Sequence, residues 1–317
     1  MKILLHYPFD KAQVDAFKEV AKRCGNHEVL FTTDDAEAIQ LAGDVSVLIG
    51  HFKPEVCAAA PRLKWIQSFS AGMDNFLFPE IVARDVVISN AAGIHAPQGG
   101  EHAWALLLAL ARGIRPAVEQ MQKKKWGGVN VVELSGGTLG VVGLGGFGME
   151  MVKRAKGYDM TVIGLDPVRK EKPEGVDELY LPTHEHVMAM LKRADAVLVA
   201  CPRTKETYHL FNAEAFNAMK PTAFLVNVTR GGIVDEDALV AALKNGEIAG
   251  AALDVCEEEP LPESSPLWNA PNFIVTPHRA GASQHRPRRL SEFFVKNLER
   301  FLKGEKVLNV VDKVKGY

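Results

Sequence analysis

Two doubly wound, parallel-sheet α/β domains are predicted for this chain, and three observations predict them. From Met1 to about Asn90, short apolar runs alternate with amphipathic stretches, the pattern of βα units. The strand pattern then restarts at Leu139, after a long Ala/Leu helix, and repeats to Val275. Between the two series, Gly140-Val141-Val142-Gly143-Leu144-Gly145-Gly146-Phe147-Gly148 carries a β-branched strand through a glycine turn into a helix. At 317 residues the chain is too long for one typical core, so two domains are expected.

The first series consists of Ile3-Leu4-Leu5, Val29-Leu30-Phe31, Val47-Leu48-Ile49, Trp65-Ile66 and Val86-Val87-Ile88, with a helix over Lys11 to Lys22. Runs this apolar suit strands buried on both faces. The long helix is predicted from about Gln98 to Arg112, broken by Gly113 and Pro116. Further strands are expected at Met160–Leu165, Ala196–Ala200, Ala223–Val228, Ala251–Val255 and Phe273–Val275. Pro287 opens a last helix, whose Leu290, Phe293, Phe294, Leu298 and Phe301-Leu302 recur at helical spacing and require a packing partner.

The glycine turn reads as a dinucleotide site of Rossmann type. Gly143 permits the tight turn, Gly145 admits a pyrophosphate to the backbone, and Gly148 lets helix and strand pack closely. The helix N-terminus, from Gly146 and Phe147, supplies free N–H groups and a partial positive charge. Asp166 closes the next strand where a ribose contact requires an acid; it is expected to accept from both ribose hydroxyls and to repel a 2′-phosphate, which selects NAD. Arg169 and Lys170 are the competing signal, expected on a flexible segment leading into Lys172-Pro173-Glu174-Gly175.

Composition excludes several classes. The 37 basic and 39 acidic side chains leave a net charge of −2, which gives no footprint for nucleic acid. Lys123-Lys124-Lys125 and Arg286-Pro287-Arg288-Arg289 are short and lack interleaved aromatics, so they read as a solvated loop and a first helical turn. Cys24, Cys57, Cys201 and Cys256 show no metal-ligand spacing, and His184-Glu185-His186 places its histidines on different sides of a helix after Thr183; no metal is expected. Sparse cysteine points to a reducing compartment. The longest apolar run, Ala103 to Ala111, is far short of a membrane span, and the N-terminus enters a strand without a signal-peptide pattern, so a cytoplasmic protein is expected.

Three motifs lie at predicted carboxyl ends of strands, where open α/β sheets bind ligands. In Asn227-Val228-Thr229-Arg230-Gly231-Gly232, the arginine offers a planar fork to a carboxylate or a salt bridge to Asp235 or Glu236. In Ala252-Leu253-Asp254-Val255-Cys256-Glu257-Glu258-Glu259-Pro260, Asp254 ends an apolar strand and is expected to face the cleft, while Glu257 and Glu258 read as solvated. In Ile274-Val275-Thr276-Pro277-His278, the histidine is either a satisfied core residue or a proton donor, a task that suits its titration range and a carboxylate neighbour.

With these motifs, the chain resembles the D-isomer-specific 2-hydroxyacid dehydrogenases from its first strand to Gly316-Tyr317. The matching pieces include Ser70-Ala71-Gly72-Met73-Asp74-Asn75, Glu101 in the long helix, the Gly143/Gly145/Gly148 turn, Cys201-Pro202-Arg203-Thr204, and Asn297-Leu298 before Phe301-Leu302-Lys303-Gly304. The resemblance places the catalytic arginine on Arg230, the acid-orienting glutamate on Glu259, which precedes a proline, and the general acid/base on His278. It implies a substrate carboxylate held by the backbone of Ser70, Ala71 and Gly72, and substrate side-chain contacts near His51 and Phe52. Asp254 falls on the nicotinamide carboxamide contact, and Cys201 and Pro202 on the wall beside the cofactor. Thr207, Val228 and Thr229 are assigned to the cofactor as well, and Trp268 to a structural role. Two positions depart from the family: Arg279 follows the histidine, where it either favours a second anionic group on the substrate or contacts solvent, and Gly100 precedes the helix glutamate, where a looser hinge is expected.

The resulting expectation is two Rossmann-like domains with an inter-domain active-site cleft that closes on its substrate: residues 98–284 bind the dinucleotide, and 1–97 with 285–317 form the substrate domain. The resemblance implies hydride transfer between NAD(H) and a small-molecule 2-oxo or D-2-hydroxy acid, in a homodimer formed through the long helix and the arm from Gly113 to about Leu134. No nucleic-acid or membrane partner is expected. A dinucleotide-sensing corepressor built on the same fold is the alternative, distinguished by a long tail beyond the last helix. Formate dehydrogenases carry glutamine where Glu259 stands, and L-specific hydroxyacid dehydrogenases place the glycine turn at the N-terminus.

Overall fold

The architecture is that of a computed structural model, which describes residues 1–73, 76–314 and 316. The chain folds into two units, 1–95 with 283–317, and 96–282. Asp74, Asn75 and Tyr317, named in the sequence motifs, lie outside the described residues.

The first unit runs β1 (Lys2–His6), α1 (Lys11–Arg23), β2 (Glu28–Phe31), α2 (Asp35–Leu41), β3 (Val45–Gly50), α3 (Pro54–Ala58), β4 (Trp65–Ser68), α4 (Pro79–Val82) and β5 (Val87–Ser89). Its sheet is parallel in the order β2-β1-β3-β4-β5, so the strand order reverses between β1 and β3. α1 starts at a reciprocal cap, Asp10 accepting from Gln13 N and the Gln13 side chain from Asp10 N, and buries Val14, Phe17, Val20 and Ala21.

In the second unit the order is α5 (Ala96–Ala111), α6 (Ile114–Gln122), β6 (Thr138–Val142), α7 (Gly146–Lys156), β7 (Thr161–Leu165), β8 (Glu178–Tyr180), α8 (His184–Arg193), β9 (Ala196–Val199), α9 (Ala213–Ala218), β10 (Phe224–Asn227), α10 (Glu236–Asn245), β11 (Gly250–Leu253) and β12 (Phe273–Val275). The seven strands are parallel in the order β12-β11-β10-β9-β6-β7-β8. Alternate strand residues enter opposite layers: Val142, Val197, Val199 and Leu225 pack with Val187, Leu191, Phe216 and Leu239, while Leu139, Val141, Leu198 and Val226 pack with Trp104, Leu107, Met151 and Ala155. β8 was not anticipated, because three residues of which none is buried carry no apolar run.

α5 and α7 approach so closely that a Cβ on Gly99 would stand 2.3 Å from the Phe147 ring, and one on Gly100 2.5 Å from Glu150 Cβ. Gly100, expected to loosen a hinge, lies inside α5, where it admits this close packing. Gly113, left-handed at φ 62°, separates α5 from α6, and Pro116 sits in the first turn of α6, where its missing N–H costs no helical bond.

The last helix, α11 (Arg286–Leu302), belongs to the first unit and supplies the packing that its periodicity required. Leu290, Phe294 and Leu298 are fully buried beside Phe9, Phe17 and Val20, each worth about 1.5–3 kcal/mol of transfer free energy. Buried Asn297 donates to Gln67 Oε1 at 2.7 Å and accepts from Leu308 N at 2.7 Å, tying the helix to β4.

Candidate active site

In the second sheet the strand order reverses between β6 and β9, the crevice where doubly wound sheets bind dinucleotides. Gly143, at φ 95°, leaves β6 there; a Cβ on it would stand 2.7 Å from Ala200 O at the end of β9. A Cβ on Gly148 would stand 2.1 Å from Gly143 O, so any side chain would part turn from helix. Gly145, the N-cap of α7, has open space where its Cβ would be and no side-chain cap on the helix. An uncapped eleven-residue helix facing open space fits a pyrophosphate. Cys201, which follows β9, is buried, its thiol pushed up to about 12 by desolvation, so it is not a nucleophile. Thr207 is held in the adjoining loop, its hydroxyl donating to Pro202 O at 2.8 Å.

Asp166 and Arg169 together enclose the Leu144 peptide. Asp166 Oδ2 accepts from Leu144 N at 2.9 Å, and Oδ1 from Val168 N and Arg169 N at 2.9 and 3.0 Å. Arg169 donates from Nε and Nη2 to Leu144 O at 3.0 and 2.8 Å. One expectation is corrected: Arg169 is pinned beside the glycine turn and not loose.

The Arg230 loop follows β10. Asn227 shapes it, its Nδ2 donating to Arg230 O at 2.8 Å and its Oδ1 accepting from Thr229 N at 3.0 Å, while buried Val228 anchors it below. The Arg230 guanidinium donates to Thr229 O at 2.7 Å. Gly231 lies against the neighbouring loop, where a Cβ would fall 1.8 Å from Cys256 O. Of the alternative partners weighed for Arg230, Asp235 caps α10 through Ala238 N and Glu236 accepts from Glu257 N at 2.6 Å. Glu257, expected to be solvated, accepts from Tyr208 Oη at 2.8 Å, and that hydrogen bond is the chief reason the phenol is harder to ionise than usual.

Beyond β12, His278 adopts φ 53°, a left-handed conformation that costs a residue with a Cβ about 1–2 kcal/mol. Its Nδ1 lies 2.7 Å from Glu259 Oε2, and Glu259 Oε1 accepts from Cys256 N at 3.0 Å. Both side chains keep solvent access, His278 at 50% and Glu259 at 39%. The pair combines a ring oriented by a carboxylate with an opposite nitrogen left for a ligand. Arg279 is exposed, and only its backbone is tied down.

Asp254, at the end of β11, is tied into the turn that follows β12. Its carboxylate is fully buried and accepts from Thr276 Oγ1 at 2.6 Å, Arg279 N at 2.8 Å and Ala280 N at 2.7 Å, with His102 Nε2 at 3.2 Å. Burial alone would raise its pKa, yet the bonds from His102, Thr276 and the two amides outweigh it and hold the group lowered. Sequence reading missed His102 here, because its acceptors lie more than 150 residues downstream.

In the first unit, the Ser70–Gly72 segment follows β4. Ser70 N donates to Ser68 Oγ at 3.1 Å, so this amide, expected as a ligand donor, is already engaged; among the described residues, the Ala71 and Gly72 amides carry no hydrogen bond. Asn90 Nδ2 fixes Ala71 O at 2.9 Å. His51 packs on Phe69 with ring centroids 4.4 Å apart, and Phe52 is buried beside Phe76. Elsewhere, Trp268 donates to Pro262 O at 2.8 Å. His184 stands 3.3 Å from Glu214 and His186 3.0 Å from Leu181 O, so the triplet is the first turn of α8. Among the described residues no group of His, Cys, Asp and Glu is arranged to hold a metal ion, and no helix is long and apolar enough to cross a membrane.

A switch-point glycine turn with an acid at the next strand end, and a histidine–carboxylate pair beyond the last strand of the same sheet, define a dinucleotide-dependent oxidoreductase. Residues 104–280 match the model of the D-isomer specific 2-hydroxyacid dehydrogenase NAD binding domain. The chain is 37% identical over 281 residues to a glyoxylate reductase of Korarchaeum cryptofilum, covering 85% of this chain and 82% of that one. Among solved structures it is similar to a D-isomer specific 2-hydroxyacid dehydrogenase family protein of Aeromonas salmonicida, with TM-score 0.83, 31% identity and coverage of 98% and 99%. It is similar also to an NADPH-dependent glyoxylate/hydroxypyruvate reductase of Sinorhizobium meliloti in complex with NADP and sulfate, with TM-score 0.82, 28% identity and coverage of 100% and 99%. The chain belongs to the D-isomer specific 2-hydroxyacid dehydrogenase family. It is an NAD-dependent oxidoreductase that exchanges hydride with small 2-oxo and D-2-hydroxy acids.

Proposed function

We propose that this enzyme works as a reductase of short 2-oxo acids of the glyoxylate or hydroxypyruvate kind, as a cytoplasmic homodimer. The observation that carries the reading is the 2.7 Å contact between His278 Nδ1 and Glu259. A carboxylate on Nδ1 orients the ring and leaves Nε2 to exchange a proton with the substrate. The names of the relatives support the substrate class, since glyoxylate reductases recur among them at 34–37% identity.

Gly143, Gly145, Gly146, Phe147 and Gly148 would hold the pyrophosphate of the dinucleotide and Asp166 a ribose hydroxyl; bound NADH supplies the hydride. Arg230 binds the substrate carboxylate and polarises the oxo group. His278 passes the proton from Nε2 to the developing alkoxide while Glu259 holds the ring through Nδ1. In the oxidative direction neutral His278 takes that proton back. Four free thiols suit a reducing compartment, and the apolar residues exposed on α6 and the following arm suit a dimer.

NADH oxidation followed by absorbance across a panel of 2-oxo acids tests the reading. Turnover is expected with one or more short acids, and His278→Ala should lower kcat by roughly 10²–10⁴ with little change in NADH affinity. No turnover with any 2-oxo acid, or near-normal turnover in the variant, would sink it.

A further inference from the structure

His102, on α5, touches neither half of the His278–Glu259 pair, yet every bond around it leads to the turn that carries His278. Its Nε2 lies 2.9 Å from Thr276 Oγ1 and 3.2 Å from Asp254 Oδ1. The Thr276 hydroxyl spends its only hydrogen on Asp254 Oδ1 at 2.6 Å, so Oγ1 can only accept from the imidazole. The network therefore assigns the proton to Nε2, shared between hydroxyl and carboxylate. Asp254 in turn grips the backbone on the far side of His278, through Arg279 N and Ala280 N, while its own carbonyl accepts from His278 N at 2.8 Å. The left-handed residue at φ 53° is thus bracketed: Thr276 before it, two amides after it, and His278 N between them, all converging on one buried aspartate.

We propose that His102 is a positioning residue for proton transfer: by bridging Thr276 and Asp254 from α5, it holds the 276–280 turn in the conformation that aims the His278 ring. A strained backbone conformation persists only where its surroundings over-determine it. Without the Nε2 donor, the Thr276 hydroxyl loses its external brace and the Asp254 carboxylate loses one of four donors while still buried. The turn then samples other conformations, and His278 reaches the alkoxide position in a smaller fraction of turnovers. Displacements of about 1 Å at a reacting group cost up to about a hundredfold in rate.

The inference rests on the reading that His278 delivers the proton, and the experiment separates the two. With the best 2-oxo acid of the panel, His102→Leu should lower kcat at least tenfold, leave the NADH dissociation constant within about threefold, and enlarge the solvent deuterium isotope effect as proton transfer becomes limiting. His102→Gln, whose amide nitrogen can occupy the place of Nε2, should recover kcat to within about threefold of the parent. Thr276→Val, which removes the hydroxyl and leaves the histidine, should reproduce the leucine variant. Normal kcat in His102→Leu with only a lower Tm would overturn the inference, as would equal losses in the leucine and glutamine variants or an unchanged isotope effect. If His278→Ala is also fully active, the proposed reaction itself fails; if His278→Ala is impaired while His102→Leu is not, only the positioning role fails.

Discussion

His278 pairs with Glu259 in the open and not in a buried pocket, so the partnership acts on a ring that water also reaches. A carboxylate on Nδ1 fixes the rotation of the ring and with it the direction of Nε2. Glu259→Gln, which keeps the size of the side chain but replaces one carboxylate oxygen by an amide, should lower kcat for reduction by roughly tenfold, while Glu257→Gln, whose parent carboxylate bonds Tyr208, should leave it within about twofold. If the Glu257 variant loses turnover and the Glu259 variant does not, the pairing is misassigned. The cofactor contact is decided at the same scale. Asp166 is expected to disfavour a 2′-phosphate, but Arg169 already has its guanidinium fixed on Leu144 O, so contacting such a phosphate costs it little rotamer entropy. NADH should be preferred, and Arg169→Ala should widen the preference about tenfold, about 1.4 kcal/mol, by lowering kcat/KM for NADPH alone. An unchanged NADPH efficiency in the variant would remove Arg169 from that role. The close approaches at Gly143 and Gly148 were readable because each is set by a local run of sequence, and the His278–Glu259 pair was reached only through the family resemblance, since the two lie 19 residues apart. The places of Arg169, Asp254 and His102 were not readable, because Leu144 O lies 25 residues from Arg169 and Thr276 lies 174 residues from His102.

At the scale of elements, strands buried on both faces announce themselves as apolar runs, and for that reason β1, β3, β6, β7 and β9 to β12 all fall where the sequence places them. β8 has no such run; besides its ladder to β7 it is tied by an ion pair. Glu178 on β8 accepts from Arg193 at the end of α8, at 2.8 and 2.5 Å, and from Tyr180 Oη at 2.9 Å. The hydrogen bonds from Arg193 first, then Tyr180, hold its carboxyl down to about 2. A carboxylate depressed in the folded state stabilises the fold above its ordinary pKa of 4.5 and loses that contribution as pH falls toward 2. Glu178→Gln should accordingly lower Tm at pH 7, with a gap from the parent that narrows below about pH 4. A gap independent of pH would mean that the substitution acts through packing and not through the ion pair. Glycines 99 and 100 were the harder reading at this level: both look like helix weakeners in sequence, and only the distance to Phe147 and Glu150 shows what they admit.

For the molecule as a whole, the surface of α6 and the arm after it is the least explained by the folding of one chain. Ile114, Val118 and Met121 recur at i, i+4 and i+7 on α6 and are 50%, 42% and 68% exposed; Trp126, fully exposed, and Val131, 52% exposed, follow. α6 itself buries no residue, so its amphipathic face is not spent on its own unit. A net charge of −2 sets no electrostatic barrier against pairing two copies, and a two-fold axis presents the same patch to itself. Removing a solvated tryptophan from water is among the larger single gains open to such an interface, since its ring buries about 150–250 Å². Light scattering at micromolar concentration should give twice the chain mass for the parent. Met121→Glu combined with Trp126→Glu should give the chain mass, because two copies would then bury four uncompensated carboxylates against one another. The parent's Tm should rise with protein concentration and the variant's should not, since only the parent gains folded-state stability by mass action. A parent that is monomeric, or a double variant that still has twice the chain mass, would place the contact between copies elsewhere.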